Sequence, residues 1–166
     1  MIFVTVGTHE QQFNRLIEKV DRLVGKGIIK EKVVIQTGFS TYEPKHCEWK
    51  KIYQYNDMKK YVEEARIVIT HGGPSSFIMP LQIGKTPIVV PRKQKYGEHV
   101  NDHQVDFCRQ VERRMGTIYV VEDINKLSET ILRYDDIASG INKEMGSNNK
   151  MFCEKFGEIV DGLLNE

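Results

Sequence analysis

Short runs rich in valine and isoleucine alternate along this chain with stretches whose apolar residues recur every three or four positions. The apolar runs are Ile2 to Val6, Val33 to Ile35, 66–70, 87–90 and Ile118 to Val121. Each is too short for a helix and dense in β-branched side chains, which fits strands covered on both faces. Between them, Phe13, Leu16, Ile17, Val20, Leu23 and Val24 fall at helical spacing, and Gly25-Lys26-Gly27 closes that helix. The pattern predicts further helices from a cap at Asp57 through Glu64, over 75–83, from about His99 to Arg114, and from a cap at Asp123 over Ile124 to Leu132. Ser40 to Lys50 shows neither period and reads as a loop, followed by a short extended piece over Lys51 to Tyr55. Tyr134 to Ser147 reads as a polar turn with a helical start. Met151, Phe152, Phe156, Ile159, Val160, Leu163 and Leu164 then share one face of a closing helix. Strand and helix alternate without repeats or linkers, so residues 1–166 are expected to form one α/β domain, a parallel sheet with helices on both faces.

Composition narrows the class. The 166 residues carry a net charge of +1, with 40% hydrophobic and 28% charged residues, which suits a globular domain and gives no polyelectrolyte basis for binding nucleic acid. Three well-separated cysteines, Cys47, Cys108 and Cys153, read as free thiols of a reducing compartment. The start lacks the basic region and longer apolar core of a signal peptide, and no run approaches a membrane span. A cytoplasmic domain is the expectation.

Two segments carry the candidate chemistry. Thr70-His71-Gly72-Gly73-Pro74-Ser75-Ser76 lies between a strand and a helix start. Paired glycines there allow close approach of a phosphate to the backbone. Ser75 and Ser76 can cap the helix and donate hydroxyl hydrogens, and the helix N-terminus faces the anion. The alternative is an ordinary turn with His71 as a structural histidine. The second segment follows Pro87-Ile88-Val89-Val90-Pro91 and holds Arg92, Lys93, Gln94, Lys95, Tyr96, Glu98, His99, Asn101, Asp102, His103 and Gln104. Carboxamides, carboxylates and imidazoles after a strand end suit a polyhydroxylated ligand. Phosphate at one turn and sugar at the next point to a sugar nucleotide.

Other chemistries fit less well. His99 and His103 lie four apart near Asp102 and Cys108, but no HExxH order or further ligand pair supports a metal site. Gly73-Pro74-Ser75-Ser76 is not a nucleophile elbow, and Gly7-Thr8 does not continue into a P-loop. Asp135-Asp136 follows a helix with no strand leading into it and reads as a solvated turn.

Read together and in order, these segments resemble a known family. Val4-Thr5-Val6-Gly7-Thr8 with Phe13 and Leu16, then Tyr55-Asn56-Asp57-Met58, are followed by Ile69 to Ser76. Gly84-Lys85-Thr86-Pro87-Ile88-Val89-Val90-Pro91-Arg92 and Tyr96-Gly97-Glu98-His99-Val100-Asn101-Asp102-His103-Gln104 complete the set. Over Met1 to about Val121 the chain resembles the C-terminal, nucleotide-sugar-binding half of GT-B glycosyltransferases of the family 28 type. Within that type it is similar to Alg13-like subunits and their bacterial counterparts in capsular and exopolysaccharide synthesis.

The resemblance implies a Rossmann-like fold and assigns roles by position. Gly7 and Thr8 would close the first turn near the diphosphate. Tyr55 and Asn56 would hold the uracil, and His71, Gly72, Gly73, Pro74, Ser75 and Ser76 would form the diphosphate loop, with Arg92 as a further charge partner. Asp102, His103 and Gln104 would face the donor sugar or ribose, with His99 beside them. Relatives place a glutamate in the helix after the glycines to bind ribose. That position is Pro80 here, and Glu98 is the substitute the loop offers. No metal or cofactor is implied beyond a UDP-sugar donor. The implied activity is inverting transfer of a hexose, galactose or glucose, in β-1,4 linkage to a lipid-diphosphate-linked sugar, with His9 as candidate base.

One domain is half of a GT-B enzyme, so the resemblance also implies a membrane-anchored Alg14-like subunit that holds this chain at the inner face of the membrane. Docking would use Thr8 to Gln12, Arg92 to His99 and the closing helix, which otherwise packs on its own sheet. A homodimer through the same apolar surface is the further expectation. The alternative from another class is a non-catalytic nucleotide-sugar-binding or interaction module.

Overall fold

Every residue of β1 (Ile2–Thr5), β2 (Val33–Gln36), β4 (Ile67–His71) and β5 (Ile88–Val90) is buried. Strands with no solvent face need helices above and below, and this is what the computed structural model, which describes residues 1–145, contains. Six parallel strands run in the order β3-β2-β1-β4-β5-β6, completed by β3 (Glu48–Lys50) and β6 (Tyr119–Val120) at the edges. The helices are α1 (Asn14–Gly25), α2 (Tyr55–Glu64), α3 (Pro74–Gln82), α4 (His103–Met115), α5 (Leu127–Leu132) and α6 (Tyr134–Met145). The α/β expectation is met.

Alternate strand residues sort the helices to the two faces. Ile2, Val4, Ile35, Ile67, Ile69, Ile88 and Val90 meet Leu16, Ile17, Val20 and Leu23 of α1, with Leu127, Ile131 and Tyr134 beyond. On the other face, Phe3, Val34 and Val68 meet Val62 of α2, while Val89 packs with Phe77 and Leu81 of α3 and Cys108 and Val111 of α4. This period-two alternation is what a two-sided core requires.

Several element boundaries differ from expectation, each for a local reason. Ser40 to Lys50 is not all loop, since Glu48-Trp49-Lys50 forms the edge strand β3. Its charged, half-exposed residues suit an edge and hide it from an apolar-run reading. The segment leading into β3 is pinned by buried Asp21, whose carboxylate accepts from Tyr42 Oη (2.8 Å) and from the Lys45 and His46 amides. Those hydrogen bonds hold its carboxyl below the usual carboxylate range, although burial acts in the opposite direction and is the largest single influence.

Helix α2 starts at Tyr55 after Gln54, so Asp57 is not its cap. It sits in the first turn, where a carboxylate favours the helix dipole. Helix α4 starts at His103, because residues 94–96 form a 3-10 turn and Gly97 takes a left-handed φ of +66°. Tyr134 to Met145 is helical, and Asp135 pairs with Arg66. Asp123 does accept from Asn125 N–H as a cap, though residues 124–126 are a 3-10 turn before α5 begins. The predicted closing helix over 148–164 lies outside the described residues.

Candidate functional site

The sheet order reverses between β1 and β4, since β1 continues to β2 and β3 on one side and β4 to β5 and β6 on the other. At such a switch point the two following loops part and leave a crevice at the strand C-termini. Here it is a cleft of about 420 Å³. Its polar side is built by Thr8 and His9 after β1 and by Ser75 and Ser76 at the start of α3, and its apolar wall by Met58 and Val62 of α2 and Met79 of α3. Gly7, His71, Thr5 and Gln36 form the floor.

His71 ends β4 and organises the floor. The ring is 7% exposed. Its Nδ1 accepts from Gly73 N–H (3.0 Å), with Gln104 Nε2 3.4 Å away, and its Nε2 lies 2.6 Å from Ser76 Oγ. An Nδ1 that accepts leaves the proton on Nε2, so Nε2–H donates to Ser76 and the Ser76 hydroxyl hydrogen is released to the cleft. Burial first, and the Arg92 cation second, push the His71 pKa down to about 4, so the ring is neutral near pH 7.

The glycines of the motif serve this ring. A Cβ on Gly7, at φ +72°, would sit 2.4 Å from His71 Nε2, and a Cβ on Gly73 would sit 2.3 Å from His71 Cε1. The imidazole is clasped between two glycines. Gly72 abuts α4, where an added Cβ would lie 2.9 Å from Cys108 Sγ and from Gln104 Cβ.

These contacts correct the expectation of open amides awaiting phosphate. The N–H of Gly72 donates to Gln104 Oε1 (3.1 Å), that of Gly73 to His71, and that of Ser76 to the Gly73 carbonyl. Gly7 N–H is taken by Thr5 Oγ1. Nor do Ser75 and Ser76 cap α3: its cap is Gly73, with Pro74 as the first helical residue, which suits its fixed φ and missing N–H. Ser75 is exposed at the rim, so this turn offers an anion the two serine hydroxyls, while the Gly72, Gly73 and Ser76 amides are already engaged.

Arg92 and Glu98 are not ligand groups, contrary to expectation. Both are fully buried. Arg92 Nη1 donates to the carbonyls of Gln11, Gln12 and Glu98, and Nη2 to the carbonyl of Val6. Burial lowers its pKa to about 10, which still leaves it a cation. The Glu98 carboxylate is closed by Arg15 Nε and Nη2, both at 2.8 Å, and by Lys93 N–H at 2.9 Å. A short-range reading of the loop saw two charges and missed Arg15, 83 positions upstream of Glu98, which neutralises one of them.

Gln104 is likewise turned inward. Its Oε1 accepts from both Gly72 N–H and Arg92 N–H, tying the turn after β4 to the turn after β5. Asp102 accepts from Gln94 N–H (2.9 Å) and, with His103, stays exposed on that turn. The i, i+4 spacing of His99 and His103 is not helical, since α4 begins at His103.

Tyr55 and Asn56 are exposed in the first turn of α2, which contributes Met58 and Val62 to the cleft wall. Beyond Ser75 and Ser76, α3 presents Met79 to the cleft, whereas Pro80 is buried and does not line it, so the ribose-binding position read at Pro80 does not reach the cleft. Met58 and Met79 were not singled out as site residues, since an apolar side chain within a helix carries no local sign of a ligand.

His9 does line the cleft, but the nitrogen chemistry argues against a base. Its Nδ1 accepts from Gln11 N–H (3.2 Å), which puts the hydrogen on Nε2 in the neutral ring. Burial foremost, then Arg92 and His99, lower its pKa, partly offset by Glu10. His9 is therefore a neutral donor.

Residues 1–161 match the glycosyltransferase family 28 C-terminal domain. The chain belongs to this family. Among curated relatives, the Homo sapiens protein named UDP-N-acetylglucosamine transferase subunit ALG13 is 28% identical over 129 residues, covering 71% of this chain and 11% of the human protein. The Mus musculus protein of the same name is 30% identical over 126 residues, covering 70% and 10%. The chain thus spans only about a tenth of these relatives. The fold is similar to that of the glycosyltransferase SnogD from Streptomyces nogalater, with a TM-score of 0.58 and 18% identity over 88% of this chain and 39% of that one. A glycotransferase of kitacinnamycin gives 0.55 and 14% over 89% and 39%. This family 28 domain therefore has the Rossmann-like fold of one half of a GT-B glycosyltransferase.

Proposed function

We propose that this family 28 domain is the donor-binding subunit of a two-component, inverting glycosyltransferase that uses a UDP-sugar. The observation that carries the reading is the cleft at the β1/β4 switch point, which pairs hydroxyl and imidazole N–H donors with an apolar wall inside a family 28 domain. Donors on one side suit a diphosphate, and Met58, Val62 and Met79 suit the flatter, less polar parts of a nucleotide. The transferred sugar is a hexose, galactose or glucose, and the acceptor a lipid-diphosphate-linked sugar of capsular or exopolysaccharide synthesis. No metal is required, because hydroxyl and imidazole donors meet the diphosphate charge.

The base that deprotonates the acceptor belongs to the partner, since His9 Nδ1 already accepts from Gln11 N–H and the neutral ring then keeps its hydrogen on Nε2. An Alg14-like, membrane-anchored partner supplies that half and keeps this chain at the cytoplasmic face. No helix among the described residues is long and apolar enough to cross a membrane. The docking rim joins Thr8–Gln12 to the turn after β5 through Gln12 Nε2, which donates to Tyr96 O (2.9 Å); Arg92 and Glu98, being buried, lie beneath it.

Radiolabelled UDP-galactose and UDP-glucose, offered with a lipid-diphosphate-sugar and EDTA, test the proposal. Transfer is expected with the Alg14-like subunit and near-absent without it. Full transfer by this chain alone would overturn the two-subunit reading, and UDP-sugar binding without transfer under any pairing would favour a non-catalytic binding module.

A further inference from the structure

His9 and His99 come from different loops, after β1 and after β5, yet their ring centroids are 4.9 Å apart with 38° between planes. Each ring is oriented the same way by its own loop. His9 Nδ1 accepts from Gln11 N–H (3.2 Å) and His99 Nδ1 from Asn101 N–H (3.4 Å), both two residues on. Each neutral ring therefore holds its hydrogen on Nε2, at the edge turned away from its loop.

What brings the loops together is Arg92, whose guanidinium binds the carbonyls of Gln11, Gln12 and Glu98 beneath the rings. Both imidazoles also stand near enough to His71 to lower its pKa. Among the described residues, the groups facing His9 are Arg92, His99 and His71, with the Glu10 carboxylate on its own loop. The Glu98 carboxylate is consumed by Arg15 and Lys93 N–H. Two neighbouring imidazoles, one of them lining the cleft, with the buried Arg92 cation near His9, bring together groups that suit an anion.

We propose that His9 and His99 form a paired N–H clamp for the diphosphate of the nucleotide held in the cleft. The inference rests on the nucleotide-sugar reading and adds the groups that hold the charge. Arg92 ties together the two loops that carry these rings.

The test uses the whole chain with UDP and, as a phosphate-free control, uridine, followed by imidazole proton and nitrogen NMR and by calorimetry. UDP is expected to shift both rings and raise the titration midpoint of His9, because bound negative charge favours its protonated form. Uridine is expected to do neither. His9→Ala and His99→Ala, each of which removes the N–H donor and is confirmed folded by circular dichroism, are expected to lose about tenfold in UDP affinity, the scale of one charge-assisted hydrogen bond. UDP binding that leaves both rings unshifted, or equal affinity in both variants, would overturn the clamp while leaving the nucleotide reading intact. Failure of the wild-type chain to bind UDP at millimolar concentration would overturn both.

Discussion

If Gly7 and Gly73 exist to hold the His71 ring, adding one carbon to either must destabilise the fold before any ligand is present. The Gly73 backbone lies at φ −77°, so Gly73→Ala carries no dihedral strain, and its cost comes from a Cβ 2.3 Å from His71 Cε1. Overpacking of this kind costs about 1–3 kcal/mol. Gly7→Ala adds left-handed strain at φ +72° to a contact of 2.4 Å, for about 2–5 kcal/mol in all. Gly27 supplies the control, with φ +68° and nothing within 4 Å, so Gly27→Ala carries strain alone, about 1–2 kcal/mol.

Urea unfolding followed by the fluorescence of Trp49, the single tryptophan, measures all three. The excess of Gly7→Ala over Gly27→Ala is the packing cost. Placing Gly73→Ala in a His71→Ala background should then recover most of its cost, with a coupling of about 0.5–3 kcal/mol between adjacent residues. A Gly73→Ala variant as stable as wild type but weak in UDP binding would refute this argument, and would restore the view that the glycine clears a path for phosphate.

Two further outcomes follow from the same floor. His71 has a pKa of about 4 folded against 6.5 unfolded, so its contribution is intact above pH 6.5 and falls as pH drops toward 4, by about 3 kcal/mol in total; the pH dependence of urea stability should flatten over that window in His71→Gln, and an unchanged slope would contradict the buried neutral ring. Gln104→Ala should cost about 2–4 kcal/mol by stranding the amides of Gly72 and Arg92, with Gln104→Glu costing less because an acceptor remains; a loss below about 1 kcal/mol in the Ala variant would show that the two turns do not depend on this bridge.

The amino-acid sequence by itself determined the architecture, because buried parallel strands must be short and apolar and amphipathic helices must repeat at 3.6 residues. Ile2–Thr5, Val33–Gln36, Ile67–His71 and Ile88–Val90 are legible for that reason, whereas the edge strand Glu48–Lys50 is not, since an edge needs charge more than apolarity. The order of loops also pointed to the cleft, and His9, Thr8, Ser75 and Ser76 do line it.

Only the tertiary structure decided which polar residues face out. Arg92, Glu98 and Gln104 read as ligand groups because a charged loop after a strand normally meets solvent. Their partners, Val6, Gln11, Arg15 and Gly72, lie far away in sequence, and no local pattern records that a carbonyl or guanidinium will arrive to bury them. The same holds for His71, where the sequence left open a structural ring or a phosphate contact. Two glycines 66 positions apart close on its faces only once β1 and β4 lie side by side.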